Sequence, residues 1–298
     1  MRISRCTRPN ADRMGGRDLF DLRELHLAEN RVGVARRLPG AAERGELHLE
    51  YQPIVDAAVS QLTGVEALLR WTHPNRGPVS PAMFVPFAEQ SGQIIELGRW
   101  VLEQACSDRE RWHRQQAANI AMSVNVSTYQ LMSAGFAKTV AAVLDSTSTN
   151  PGLLTLEVTE SVFVRDEQRA LVVLGELKKI GVNLALDDFG TGYSSLGYLN
   201  TLPVDTIKVD QTFVSKVDHE PGSQIIVAAI IQLAHSLGMT VVSEGVETAE
   251  QHHELTKLGS DSFQGFYFAK PMRASKLDAV FQQRAEGTDP QTPALIVA

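Results

Sequence analysis

Cysteine is scarce in this 298-residue chain, and the two that occur, Cys6 and Cys106, are a hundred positions apart. That is no disulfide framework, and it fits a reducing, cytoplasmic setting. No apolar run approaches the roughly 20 residues that a membrane helix needs, and the first residues lack an apolar signal core. Basic residues are outnumbered, 28 Lys and Arg against 35 Asp and Glu, for a net charge of −7. This balance excludes a general attraction to DNA or RNA. A phosphodiester ligand must therefore be small and held by a local site. Apolar residues at 43% and charged residues at 21% indicate an ordinary globular protein.

Length admits one large domain, since an α/β barrel takes roughly 250 residues. Residues 1–40 read as an N-terminal extension or linker, with nine arginines and five acids before residue 38 and Pro39-Gly40 as punctuation. Residues 41–284 read as the folded domain. Residues 285–298, rich in Gly, Thr, Pro and Gln, read as a disordered tail.

Within the domain a rhythm recurs: helix, glycine, short apolar strand, polar residue. Leu174–Ile180 ends a helix, Gly181 caps it and Val182–Asp187 is a strand. The pattern returns as Ile225–Leu237, Gly238 and Met239–Glu244. It returns again as Ala249–Leu258, Gly259 and Asp261–Gly265. Glycine suits the left-handed position that closes a helix. The short runs lack alternation, as expected of strands buried on both faces. Ser80-Pro81 and Thr248 with Gln251 are helix starts. Earlier strands are expected at Leu47–Val55, Leu62–Leu69, Ile120–Val126, Leu153–Val158 and Thr206–Val209, and a long helix at Ile94–Gln116. About eight strands alternating with helices favour a closed (β/α)8 barrel.

Polar residues fall at or near the carboxyl ends of these strands: Glu66, Asn125, Glu157, Asp187-Asp188, Lys208, Glu244 and Gln264. In a barrel those ends share one mouth, where active sites lie. So many carboxylates repel one another unless cations gather them. Hard oxygen donors suit Mg²⁺ or Mn²⁺, and the lack of His or Cys at these ends disfavours zinc. Adjacent aspartates are suited to two ions, and two ions roughly 3.5–4 Å apart form a clamp for phosphoester hydrolysis. Lys208 is suited to orient or deprotonate a water, or to offset charge. Each residue alone reads as a solvated group; the repetition at strand ends is what carries weight. By contrast His252-His253, adjacent on one helix, read as a solvated face. Trp100 and Trp112 read as packing residues. Phe266 lies equally between core packing and a ligand pocket.

The motifs resemble those of the EAL family. They run from Tyr51-Gln52-Pro53-Ile54-Val55 and Val65-Glu66-Ala67-Leu68-Leu69-Arg70-Trp71 through Ser123–Ser127 and Leu156–Ser161. They continue with Asp187–Leu196, Ile207–Asp210, Glu244–Thr248 and Gln264-Gly265-Phe266, across roughly residues 40–283. The resemblance implies a TIM-like barrel with one early strand antiparallel to the others. It implies a metal-dependent phosphodiesterase that opens cyclic di-GMP to linear 5′-pGpG. Glu66, Asn125, Glu157 and Asp187 match ligands of a first metal; Asp187, Asp188 and Glu244 match those of a second. Lys208, Glu244 and Asp187 match the catalytic set, with Lys208 at the attacking water. Gln52, Arg70 and Gln264 match substrate contacts. Glu160, Thr191, Asp210 and Glu247 match the loop anchor and supporting positions. The resemblance further implies a homodimer and, in a longer parent protein, an upstream sensory or diguanylate cyclase domain. Ca²⁺ is expected to inhibit. The alternative is a catalytically inactive cyclic di-GMP receptor or interaction domain, which would lack some of these ligands.

Overall fold

A computed structural model of the chain describes residues 36–58, 61–116, 119–190 and 199–285. Residues 1–35 of the expected extension and the tail beyond 285 lie outside them. Among the described residues ten strands form one sheet: β1 (Leu47–Asp56), β2 (Leu62–His73), β3 (Gly77–Val79), β4 (Ala121–Asn125), β5 (Leu154–Thr159), β6 (Asn183–Phe189), β7 (Thr206–Val209), β8 (Thr240–Ser243), β9 (Ser262–Phe263) and β10 (Met272–Arg273). The longer helices are α1 (Pro81–Ser91), α2 (Ile94–Gln116), α4 (Phe136–Thr147), α5 (Ser161–Ile180), α7 (Pro221–Ser236), α8 (Ala249–Leu258) and α9 (Ala274–Ala285). Two single turns, α3 (Thr128–Leu131) and α6 (Gln211–Val214), complete the set.

Eight strands close the barrel in the order β1-β2-β4-β5-β6-β7-β8-β9 and back to β1. Neighbours from β2 round to β9 pair in parallel, whereas β1 is antiparallel to both β2 and β9. The expected antiparallel strand is therefore the first. The expected strand Asp261–Gly265 shrinks to Ser262–Phe263, although the Gln264 amide still donates to the Ser243 carbonyl in line with the β8–β9 ladder. The short strands β3 and β10, absent from the sequence reading, lie on β2 and β1 outside the closed ring.

Leu154, Leu156, Leu184, Ile207 and Val241 are fully buried, as continuous apolar strands between barrel interior and helices require. Helix α2 spans the predicted residues, and Gly181 and Gly259 take the left-handed caps. Trp112 is buried, donates Nε1–H to Asp278 Oδ1 at 2.6 Å and meets Tyr51 edge-on, so α2 and α9 are tied together across the barrel base. The His252 ring departs from the solvated-face reading. It stacks on Tyr267 and meets Phe263 and Phe268 edge-on, and burial lowers its pKa. An aromatic cluster reached only through the fold captures it. Cys106 is buried and free, and burial pushes its thiol up to about 11. Among the described residues no helix is long and apolar enough to cross a membrane.

Leu38 and Ala41 belong to a satellite core with Trp71, Phe84 and Leu97. The segment that carries them is fastened by Glu46, whose carboxylate accepts from Arg37 Nη2 (2.6 Å), Arg44 Nε (2.7 Å) and Trp71 Nε1 (3.2 Å). These donors, Arg44 foremost, hold its carboxyl down at about 2. A depressed folded pKa stabilises the fold above the unfolded value near 4.5, and that contribution is lost as pH falls from there toward 2. Glu46→Ala is expected to cost about 1–2 kcal/mol at neutral pH, because buried Trp71 loses a charged acceptor while Arg37 and Arg44, 39% exposed, regain water. Thermal melts of both proteins should converge as pH falls below 4.5. A constant gap would show that packing, and not charge, holds the segment.

Candidate active site

The parallel strands of the ring, β2 and β4 to β9, run toward the same end of the barrel. Glu66 stands within β2, Asn125 and Glu157 near the ends of β4 and β5, Asp187 and Asp188 in β6, and Lys208 in β7. Glu244 and Gln264 directly follow β8 and β9. Their register is fixed by the ladder: Asn125 lies opposite Glu157, and Thr159 opposite Asp187. Gln264 reaches the mouth because Gly265 passes Val246 so closely that a Cβ there would sit 2.0 Å from the Val246 carbonyl oxygen.

Lys208 is the hub. Its Nζ lies 2.5 Å from Glu157 Oε2 and 2.5 Å from Glu244 Oε1, and 3.6 Å from both Glu66 Oε2 and Asp187 Oδ1. The lysine side chain is 2% exposed, so these charges face one another with little water between them. Four carboxylates share one ammonium, and their protonation responds. Burial pushes Glu157 well above the usual carboxylate range, and the neighbouring acids outlast the opposing pull of Lys208. Burial likewise lifts Glu244 to about 7. At Glu66 burial works in the same direction, but Lys208 and the amides of Gln264 and Asn125 outweigh it and the pKa is lowered. Lys208 itself is held well above its ordinary value; burial opposes this and the ring of carboxylates prevails.

A chain of amides orients Glu66. Asn125 Nδ2 donates to its Oε1 at 2.6 Å, and Gln264 Nε2 donates to its Oε2 at 2.6 Å and to Gln52 Oε1 at 3.1 Å. Gln52 Nε2 in turn donates to the Ala269 carbonyl at 3.3 Å. Gln264 Oε1 is buried with no partner within the protein. A buried acceptor of that kind calls for a donor from outside.

Above this layer opens a cavity of about 360 Å³, lined among others by Gln52, Glu66, Arg70, Asp188, Asp210, Glu244, Glu247 and Gln264. Asp188 has a left-handed backbone (φ 56°), a conformation aspartate tolerates better than most residues. Burial and the neighbouring Asp187 and Asp210 raise its pKa. Asp210 accepts the Thr212 amide at 2.9 Å and so caps α6. Arg70 Nε donates to Glu50 Oε2 at 2.8 Å. Glu160, at the start of α5, accepts the Gly190 amide at 3.0 Å. Thr191, expected beside it, lies outside the described residues. Leu68, Gln211, Gly245, Phe266 and Pro271 also line the cavity. Of these, Leu68 was within reach of the sequence, since it shares the strand face of Glu66 and Arg70. Phe266 is the pocket candidate singled out in the sequence, Gln211 opens α6, and Gly245 and Pro271 come from loops, where no period marks them.

The donor set is all oxygen and suits hard divalent cations. Among the described residues, however, no three of His, Cys, Asp and Glu converge as a metal cage requires; the carboxylates converge on Lys208 Nζ instead. The donors fit in kind, and holding a cation requires them to part from that ammonium.

The chain is 42% identical over 250 residues to the bifunctional diguanylate cyclase/cyclic di-GMP phosphodiesterase MucR of Pseudomonas aeruginosa, covering 84% of this chain and 36% of that relative. The solved PaMucR phosphodiesterase, in complex with c-di-GMP, is 43% identical with a TM-score of 0.79, covering 82% of this chain and 99% of that one. The EAL enzyme Bd1971, in a form bound to cAMP and cyclic-di-GMP, is 32% identical with a TM-score of 0.80, covering 85% and 69%. The EAL domain profile matches residues 35–271. The chain therefore belongs to the EAL domain family.

Proposed function

We propose that the protein is a divalent-metal-dependent phosphodiesterase that hydrolyses cyclic di-GMP to linear 5′-pGpG. The observation that carries this reading is the convergence of Glu66, Glu157, Asp187 and Glu244 within 3.6 Å of one buried lysine, with Glu66 and Glu244 also lining an open cavity. Similarity to PaMucR, a phosphodiesterase solved with c-di-GMP, supports the choice of substrate.

In this reading Glu66, Asn125, Glu157 and Asp187 would hold one cation, and Asp187, Asp188 and Glu244 a second. Such cations, when bound, supply an activated water and offset the charge of the phosphate. The chain's own groups do the rest. Lys208, held well above its ordinary pKa by the carboxylates around it, would donate a hydrogen bond to the water and neutralise developing charge. Gln52, Arg70 and Gln264 bind the dinucleotide, and an arginine suits phosphate or a guanine edge. Gln264 Oε1, buried without a protein partner, would accept from a base. Glu247 lines the cavity as a supporting acid. A homodimer, a cytoplasmic setting and an upstream sensory or cyclase domain complete the proposal.

The test is incubation with cyclic di-GMP and Mg²⁺ or Mn²⁺, followed by separation of the products. Linear pGpG is expected with either metal. Substituting Ca²⁺, which prefers longer bonds and looser coordination, should cut turnover about 100-fold while leaving binding intact, because small displacements at a reacting centre cost that much. Binding without turnover in every metal would favour the receptor reading.

A further inference from the structure

Arg70 is on the wall between two cavities. It lines the site above Lys208, and it also lines a second, more apolar one of about 470 Å³ bounded by α1, α2 and the β4–α3 turn. A ligand that extends from one cavity into the other passes this side chain. Yet Arg70 is at the rim, where β2 has run past the closed part of the barrel, and a long side chain there has freedom to swing.

What restrains it is Glu50. In the antiparallel β1–β2 ladder Glu50 lies opposite Leu68, and Arg70 lies two residues further along β2, opposite His48. Side chains at these diagonal positions share one face of the sheet and are within reach of each other. Arg70 Nε donates to Glu50 Oε2 at 2.8 Å, and Nη1 donates to the Leu69 carbonyl at 3.1 Å. Both side chains are partly buried, at 28% and 26% exposure, so the pair is neither solvated nor sealed. An exposed ion pair contributes little to stability. Bonds from Nε and Nη1 fix the plane of the guanidinium, and this matters for recognition by a side chain that lines both cavities.

We infer that Glu50 is a positioning residue for substrate binding, acting through Arg70 and touching no substrate itself. The inference rests on the cyclic dinucleotide reading above. Glu50→Ala is expected to raise KM about tenfold, the scale of one well-placed charge-assisted contact, with kcat changed less than about twofold. Glu50→Gln keeps an acceptor for Nε and should recover most of the affinity. In an Arg70→Ala background, removing Glu50 should add nothing further, since the two act as a unit. The thermal midpoint should stay unchanged in Glu50→Ala, which separates placement from folding.

The experiment is steady-state hydrolysis of cyclic di-GMP, with calorimetric binding in parallel, for wild type, Glu50→Ala, Glu50→Gln and the two Arg70 backgrounds. The expected pattern is a KM effect that Gln rescues and Arg70→Ala abolishes. An active wild type with an unchanged KM in Glu50→Ala would overturn this inference and leave the function standing. Tighter binding in Glu50→Ala would overturn it too, showing that Glu50 only dilutes the charge of Arg70. A wild type that neither binds nor cleaves the dinucleotide would bring down both readings.

Discussion

Replacing Lys208 with methionine is expected to reduce turnover by about 10²–10³-fold, the range seen when one preorganised donor is removed from a reacting centre. A second effect should accompany it. Lys208 is the only cation within 4 Å of Glu157 and Glu244 among the described residues, and it also approaches Glu66 and Asp187. Breaking a buried ion pair from one side costs about 3–5 kcal/mol, because the partner stays buried and unpaired. With chelator present, the variant should therefore melt roughly 6–20 °C below wild type at 2–4 °C per kcal/mol.

The sign of its pH dependence follows from the same charges. Glu244 titrates at about 7 even beside the ammonium, and Glu157 is raised as well. Without Lys208 both rise further. A carboxylate whose folded pKa is raised favours the fold below its unfolded value and loses that contribution as pH climbs through the folded value. The deficit of the variant should thus be small near pH 5 and deepen through pH 7 and above. Mg²⁺ should narrow it without restoring turnover, since a ligand bound only by the folded state stabilises it. An unchanged melting point in chelator from pH 5 to 8 would show that the carboxylates do not depend on this lysine.

How much of this site was readable before folding depends on the residue. Glu66, Asn125, Glu157 and Lys208 lie in or at the end of strands long enough to show as apolar runs, and their convergence follows from parallel pairing alone. Glu244 and Gln264, expected within strands, stand just outside strands of four and two residues, yet at the same barrel mouth. The helix–glycine–strand rhythm located them better than any strand propensity. The ladder pairs β3 and β10 went unread because so few residues carry no period. His252 was misjudged because its neighbours Phe263, Tyr267 and Phe268 lie on the next unit of the chain. Glu50 was passed over for a related reason. Its importance comes from being diagonal to Arg70 in an antiparallel pair, and that depends on the one strand that breaks the parallel rule.

Glu160→Ala is expected to lose about 100-fold in turnover with its fold intact. The residue is three positions beyond Glu157, at the start of α5, and its side chain makes no cap to that helix. It reaches sideways instead, and Oε1 accepts the amide of Gly190 at 3.0 Å. Gly190 follows Asp188 by two residues and has φ 93°, a conformation open to glycine but strained for other residues. On its other side a Cβ would come within 3.0 Å of the Phe213 ring. The chain leaving β6 is thus clamped between a carboxylate and an aromatic ring. Asp187 and Asp188 are separated from that clamp by Phe189 alone, and Asp188 holds a left-handed backbone of its own. Releasing one jaw lets the pair drift, and a 1 Å misplacement at a reacting centre costs on the order of 100-fold. Glu160→Gln keeps an acceptor oxygen and should fall between Ala and wild type. The defect should appear as a higher Mn²⁺ requirement, because Asp188 is proposed to hold the second cation. Turnover followed during Mn²⁺ titration decides the matter: a Glu160→Ala curve that overlays wild type would make Glu160 an ordinary acid at the barrel mouth.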